Sequence, residues 1–462
     1  SHFTSKNATS LDFFNANKSS PWYIVAFGMI GTSLSGVTFI SVPGEVGNSN
    51  FSYFQIVLGY LLGYFVIATI LMPLYYKLNL VSIYTYLDKR FGFFSYKTGS
   101  FFFLLSRIIG SSFRLFLVAS VLQIIFFDSL NIPFFISVFI TISLIWVYTY
   151  KGGIKTIVWT DTLQTFFMLS AVIITILIIM NEMDLNFSKA KDIIISSSYS
   201  DVFIFDWKNE RFFLKQFFSG AFIAIVMTGL DQDMMQKNLT CKNLSDAQKN
   251  IFWFCIVLLF ANILFLTLGA LLYLYADFIQ MPVPSRTDDL YPLIAINHLS
   301  IFGSIIFLLG IIAAAYSSAD SALTSLTTAF CIDFLNFEKR NDIQKKSVRL
   351  KVHLLFSVII FFVIQIFNLI NDESVINAIF KVAGYTYGPL LGLFSFGILT
   401  NYKIIDRYSP IICFVSPILS YIINIYSESL LFGYRFGFEI LLLNGLITFV
   451  GLFLISLKKQ SH

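Results

Sequence analysis

The sequence predicts an all-α membrane protein that crosses the bilayer many times, and three observations carry that prediction. Hydrophobic residues make up 57% of the 462 and charged residues only 12%, where soluble domains carry roughly 25% charged residues. The mean hydropathy is +0.78. Apolar stretches long enough to cross a bilayer, about 20 residues for roughly 30 Å of hydrocarbon, recur along nearly the whole chain. Too little sequence remains for a sizeable soluble domain.

Apolar runs between polar breaks give about twelve spans: 22–46, 52–76, 98–127, 132–149, 158–181, 213–236, 250–277, 300–333, 350–369, 374–400, 408–426 and 434–457. Several exceed 25 residues, which implies tilt or kinks. With the N-terminus placed in the cytoplasm, 21 Lys and Arg residues fall inside and 7 outside, the bias expected of short cytoplasmic loops. Lys237 is counted in the cytoplasmic set. Residues 1–21 form a polar linker, and 182–212 form a long external loop.

Several function classes lose support at this stage. Cys241, Cys255, Cys331 and Cys413 have neither metal-ligand spacing nor the density of a disulfide framework. The four histidines are scattered at loops and ends, no phosphate-binding G-x-x-x-x-G-K-[ST] loop occurs, and no nucleophile and base constellation points to an enzyme. Nothing indicates nucleic acid or an obligatory protein partner. The bilayer and a small solute are the expected partners.

The first span reads Gly31-Thr32-Ser33-Leu34-Ser35-Gly36-Val37-Thr38-Phe39-Ile40-Ser41-Val42-Pro43-Gly44, a run of small, hydroxyl and helix-breaking residues inside a hydrophobic segment. Freed carbonyls at membrane depth are tolerable where they line a cavity or bind a cation; a close-packed helix contact is the plainer alternative. In the eighth span, Ser317, Asp320, Ser321 and Thr324 share one helical face. Hydroxyl and carboxylate oxygens suit a small hard cation, and an aspartate at membrane depth is a functional candidate.

Asp161, near the start of the fifth span, is a second such carboxylate, with an interfacial cap or a pairing with a lysine as its structural alternative. Arg107 and Arg114 lie seven residues apart on one face of the third span. A buried guanidinium needs an anion, which for Arg114 is either internal, such as Asp161, or a carboxylate on the solute. Arg107 reads as structural or interfacial.

Five separated motifs in order resemble the sodium/solute symporter family, which includes sialic acid and sugar carriers. They are the first-span run, Lys151-Gly152-Gly153 through Trp159-Thr160-Asp161-Thr162-Leu163-Gln164, Thr228-Gly229-Leu230-Asp231-Gln232-Asp233 with Gln236-Lys237, Ala313 to Ser321, and Gly384-Tyr385-Thr386-Tyr387-Gly388-Pro389-Leu390. The resemblance implies a LeuT-like 5+5 inverted repeat. Residues 22–181 would form the first repeat, 213–400 the second and 401–462 two peripheral C-terminal helices, with spans one and six broken. The family's preceding N-terminal helix is expected to be missing here.

By the same resemblance, Na+ is the coupling ion. The general sodium site would use the carbonyls of Gly31, Leu34 and Ala314 with the hydroxyls of Ser317 and Ser318. A second site would use Asp161, Asp320 and Ser321, where Asp320 replaces the family's small hydroxyl residue. Ser33, Ser35, Thr38, Gln55 and Arg114 are the solute-lining candidates. Met227 and Ala224 stand where sugar carriers have an aromatic gate and an amide, so the solute expected is anionic or polyhydroxylated, of the sialic acid or sugar type. The resemblance implies sodium symport through alternating access, in the cytoplasmic membrane. A proton-coupled carrier titrating Asp161 or Asp320 and a transporter-like membrane sensor are the rival expectations.

Overall fold

The computed structural model describes residues 20–457 except 81, 150–153, 336–341 and 371–373. Residues 1–19 of the expected linker and the Lys151-Gly152-Gly153 motif lie outside the described residues. The first span is broken into α1 (Trp22–Ser33) and α2 (Gly36–Ser49). The second runs from α3 (Tyr53–Val66) through a π-turn into α4 (Met72–Leu78). Then follow α5 (Thr85–Arg90), α6 (Phe93–Leu122), α7 (Phe134–Thr149), α8 (Ile154–Glu182) and α9 (Phe187–Ser196). The sixth span is α10 (Phe213–Ala224), a π-turn and α11 (Gln232–Asn238).

The remaining helices are α12 (Leu244–Phe278), α13 (Leu290–Asn297), α14 (Ile301–Leu335), α15 (Asp342–Ile370), α16 (Val375–Thr386), α17 (Gly388–Leu399), α18 (Ser409–Ile425), α19 (Ser427–Leu430) and α20 (Ile440–Leu454). Among the described residues, seven helices are long and apolar enough to cross a membrane, and nine spans result if each of two bent pairs counts as one. Shorter apolar helices, α1 among them, coincide with others of the twelve expected segments.

Three breaks shape the interior. In the first span, Leu34 leaves helical geometry (φ −84°, ψ 74°), and Ser35 turns extended, its side chain accepting a hydrogen bond from Val37 N. That hydroxyl caps the new helix as an N-cap serine does. In the sixth span the axis bends by 70° at Leu230–Asp231. The carbonyls freed there are met by tyrosines: Tyr75 donates to Gly229 O at 2.8 Å and Tyr84 to Leu230 O at 2.9 Å. A third bend of 49° at Tyr387 splits the tenth span, and Asn444 of α20 donates to the carbonyls of Gly384 (3.0 Å) and Tyr385 (2.8 Å). Each opened backbone thus finds side-chain partners, as hydrocarbon surroundings demand.

Small residues let the spans approach closely, as they do at membrane helix interfaces. On α3, a side chain at Gly59 would collide with the carbonyl of Phe217 on α10, and one at Gly220 on α10 would collide with that of Ile56. The second and sixth spans therefore touch backbone to backbone. At the edge, the peripheral helices are joined by a two-residue antiparallel pairing of Lys403–Ile404 with Ser456–Leu457.

Lys237 corrects the charge count. Its side chain is fully buried within the bundle, so it does not belong to a cytoplasmic loop. Removing one of twenty-one leaves the bias intact.

Outside the spans, the short turn Thr287–Asp289 lies against Gly44 of α2. Asp288 is buried there and accepts a hydrogen bond from Val375 N at 2.9 Å. Burial pushes its carboxyl up to about 6. The folded protein therefore holds a proton between about pH 4 and 6 that the unfolded chain has released. Stability is expected to rise by roughly 2–3 kcal/mol as pH falls from 7 through this window. Thermal unfolding in detergent should show the rise in the wild type and a flatter profile in Asp288→Asn; parallel profiles would remove Asp288 as its source.

Candidate functional site

The site starts from the break in the first span. Leu34 N–H still reaches Ile30 O at 2.7 Å, but the three carbonyls after it have no N–H four residues on within α1, and they lie at the negative end of its dipole. Facing them is α14. A β-carbon added to Gly31 would lie 3.0 Å from Ser317 Oγ and 3.0 Å from the Asp161 carbonyl, and would collide with Thr165 Oγ1. Gly31 and Ser317 are therefore neighbours, and only hydrogen fits between the first span and the fifth. Ser317 Oγ is buried, forms no well-aligned hydrogen bond and lies beside the Asp161 carboxylate. One residue on, Ser318 Oγ donates to the carbonyl of Ala314 at 3.2 Å, and both residues are buried.

A carboxylate cluster adjoins this point. Asp161 Oδ2 accepts from Lys237 Nζ at 2.6 Å and from Thr32 Oγ1 at 3.0 Å, and Lys237 also donates to Thr32 Oγ1. Asp161, Lys237 and Thr32 belong to the fifth, sixth and first spans, so three spans meet in one buried ion pair. The internal partner of Asp161 is this lysine rather than Arg114. Four buried oxygens here form no well-aligned hydrogen bond: Asp161 Oδ1, both carboxylate oxygens of Asp320, and Ser317 Oγ, the serine hydroxyl lying beside the Asp161 carboxylate and the Ser321 N–H beside that of Asp320. All are buried oxygen acceptors, the donor set of a hard cation. Ser321 is engaged differently, donating to Asp233 Oδ1.

Beside the break lies a cavity. Ser33, Ser35, Thr38 and Arg114 line it, together with Tyr53, Tyr60 and Tyr64 of α3 and Asn262 of α12. Gln55 is not among its lining residues. Its side chain faces the loop before α10 instead, donating to Arg211 O at 3.1 Å and accepting from Ile204 N at 3.2 Å.

The two arginines of α6 differ in their surroundings. Arg107 pairs with Asp233 and lies 3.8 Å from Asp231. Asp231 in turn accepts from Tyr387 Oη at 2.6 Å, which joins the break of the sixth span to that of the tenth. Arg114 forms no salt bridge among the described residues, and its buried Nε has no partner.

Several of these participants are not singled out by the sequence. Lys237 reads as one more cytoplasmic base, and Asp231 and Asp233 read only as parts of a motif. The spacing of Tyr53, Tyr60 and Tyr64, at i, i+7 and i+11, does place them on one helical face.

A family model described as the sodium:solute symporter family matches residues 13–402. The sodium/sialic acid symporter NanT of Aliivibrio fischeri is 25% identical over 429 residues, covering 87% of this chain and 80% of the relative. The sodium/sialic acid symporter SiaT of Proteus mirabilis is 23% identical, covering 87% and 81%. Among solved structures, the substrate-bound outward-open state of a Na+-coupled sialic acid symporter superposes with a TM-score of 0.83 at 19% identity, covering 99% of this chain and 95% of that one. With its broken first and sixth spans, this chain belongs to the sodium:solute symporter family: it is a multi-pass membrane transporter that couples the movement of a small solute to sodium.

Proposed function

We propose that the chain imports a carboxylated, polyhydroxylated solute of the sialic acid type, driven by sodium bound between the first and eighth spans. Arg114 is the observation that carries the solute class. It is a cation in the wall of a cavity rich in hydroxyls, with no carboxylate bridging it among the described residues, whereas Arg107 beside it is neutralised by Asp233. A guanidinium without an internal anion suits a carboxylate arriving with the ligand, which it binds through two parallel hydrogen bonds. Ser33, Ser35 and Thr38 supply hydroxyls for the rest of the solute.

In this proposal the general sodium site uses the carbonyls of Gly31, Leu34 and Ala314 with the hydroxyls of Ser317 and Ser318. The buried oxygens of Asp161 and Asp320 support a second cation, with Lys237 holding Asp161 in place; Ser321 contributes less, because Asp233 already accepts its proton. Residues 22–181 and 213–400 serve as the two repeats, the loop 182–212 lies outside, and 401–462 packs at the periphery. Sodium and solute are coupled because both favour the same conformation of the broken helices.

Uptake of radiolabelled N-acetylneuraminic acid by proteoliposomes tests the solute. A sodium gradient should drive it. Truncating one partner of a buried charge pair costs roughly 2–5 kcal/mol, so Arg114→Gln should raise the half-saturating solute concentration at least about thirtyfold. An unchanged value in that variant would exclude the carboxylate contact.

A further inference from the structure

A second cavity, of about 200 Å³, lies on the side of the loop before α10 and shares Tyr53 with the first. Tyr53 and Phe380 stand parallel, with ring centroids 6.4 Å apart and planes 7° apart. Phe380 lines the inner cavity, and Phe438, packed edge-on to it at 5.2 Å, lines the outer one. The rings thus form the partition between two chambers in series.

The chemistry of the outer chamber is that of a sugar site. Three carboxamides, Gln216, Asn377 and Asn424, line it together with Tyr53, Tyr385 and Lys381. Carboxamides both donate to and accept from hydroxyl groups, and tyrosines offer apolar faces with a polar edge. Asn424 is already oriented, donating to Tyr385 Oη at 2.9 Å. Glu45 is 4% exposed; one of its oxygens accepts from Arg211 at 2.9 Å and the other, Oε2, has no partner. A buried acceptor left open beside donor-bearing amides suits the hydroxyl of an arriving ligand. Asn424 belongs to α18 and Ile440 to α20, so the peripheral helices contribute to this chamber.

We infer that the outer chamber is a second binding site, which takes the same polyhydroxylated acid before it passes the Tyr53–Phe380 partition. This inference rests on the solute class proposed above. The outer site contains none of the proposed sodium ligands, so its occupancy does not depend on sodium. The inner site depends on both sodium and Arg114.

Calorimetric titration of the purified full chain with N-acetylneuraminic acid separates the two. In sodium, two binding events per protein are expected, one tight and one weak. With potassium in place of sodium, the tight event should be lost and the weak one kept. Replacing Asn377 and Asn424 together by leucine should weaken the sodium-independent event about tenfold, the loss of two ordinary hydrogen bonds, while Arg114→Gln removes the tight one. A single event in sodium, or loss of all binding in potassium, would overturn the outer site and leave the inner assignment standing. Absence of any binding in either salt would overturn both the solute class and the outer site. The comparison of salts uses the unaltered protein, so it decides the matter even if the leucine variant fails to fold.

Discussion

Ser317→Ala is expected to raise the sodium concentration that half-saturates uptake by at least about ten- to a hundredfold, the loss that outer-sphere partners of a bound metal already produce when removed. The hydroxyl removed is buried, forms no well-aligned hydrogen bond, and stands beside Gly31 across the interface between the first and eighth spans. Alanine leaves the packing of α14 nearly unchanged while deleting one oxygen from the proposed site, whose other members are neutral carbonyls and one further hydroxyl. Solute affinity in saturating sodium should recover, because the defect lies in binding the ion. Sodium dependence like that of the wild type would remove Ser317 from the site.

Arg107→Met is expected to destabilise the fold by about 3–5 kcal/mol, the loss observed when one member of a buried ion pair is deleted. Arg107 is 4% exposed, pairs with Asp233 and lies 3.8 Å from Asp231. Without it, two carboxylates would face each other at the break of the sixth span with Tyr387, Ser321 and local backbone as their donors among the described residues. Adding Asp233→Leu removes the stranded charge, so the double variant should recover much of the lost stability, as apolar replacements of buried pairs do elsewhere. Thermal unfolding of the two variants in detergent checks this. A double variant no more stable than the single one would show that Asp233 is not the group that Arg107 neutralises.

The parts of the site that the sequence makes legible are those whose physics is local. The break in the first span follows from Gly31, Ser35 and Gly36 within six residues, Pro43 lying inside the next helix instead, and the stripe on α14 follows from the helical repeat acting on Ser317, Asp320 and Ser321. Lys237 is different. Near the end of a hydrophobic span a lysine resembles any other cytoplasmic base, and its role depends on Asp161, 76 residues earlier in the chain.

Gln55 illustrates the opposite failure. The family resemblance implies a place for it in the solute-lining wall, but the rotation of α3 turns it toward the loop backbone at Arg211 and Ile204, while Tyr53, Tyr60 and Tyr64 face the cavity beside the first-span break. Periodicity tells which residues share a face. It does not tell which face turns inward when both neighbours are apolar. The bend at Tyr387 likewise depends on a distant partner, Asn444 on the last helix, which donates to the carbonyls of Gly384 and Tyr385.

Sodium binding between the first and eighth spans is most directly tested without any solute, by the thermal stability of the purified protein in sodium and in potassium at equal ionic strength. A ligand that binds only the folded state stabilises it by about 2.7 kcal/mol at a hundred times its dissociation constant. The wild type should therefore melt several degrees higher in sodium, and Ser317→Ala should lose most of that difference. Equal melting temperatures of the wild type in the two salts would contradict the sodium site.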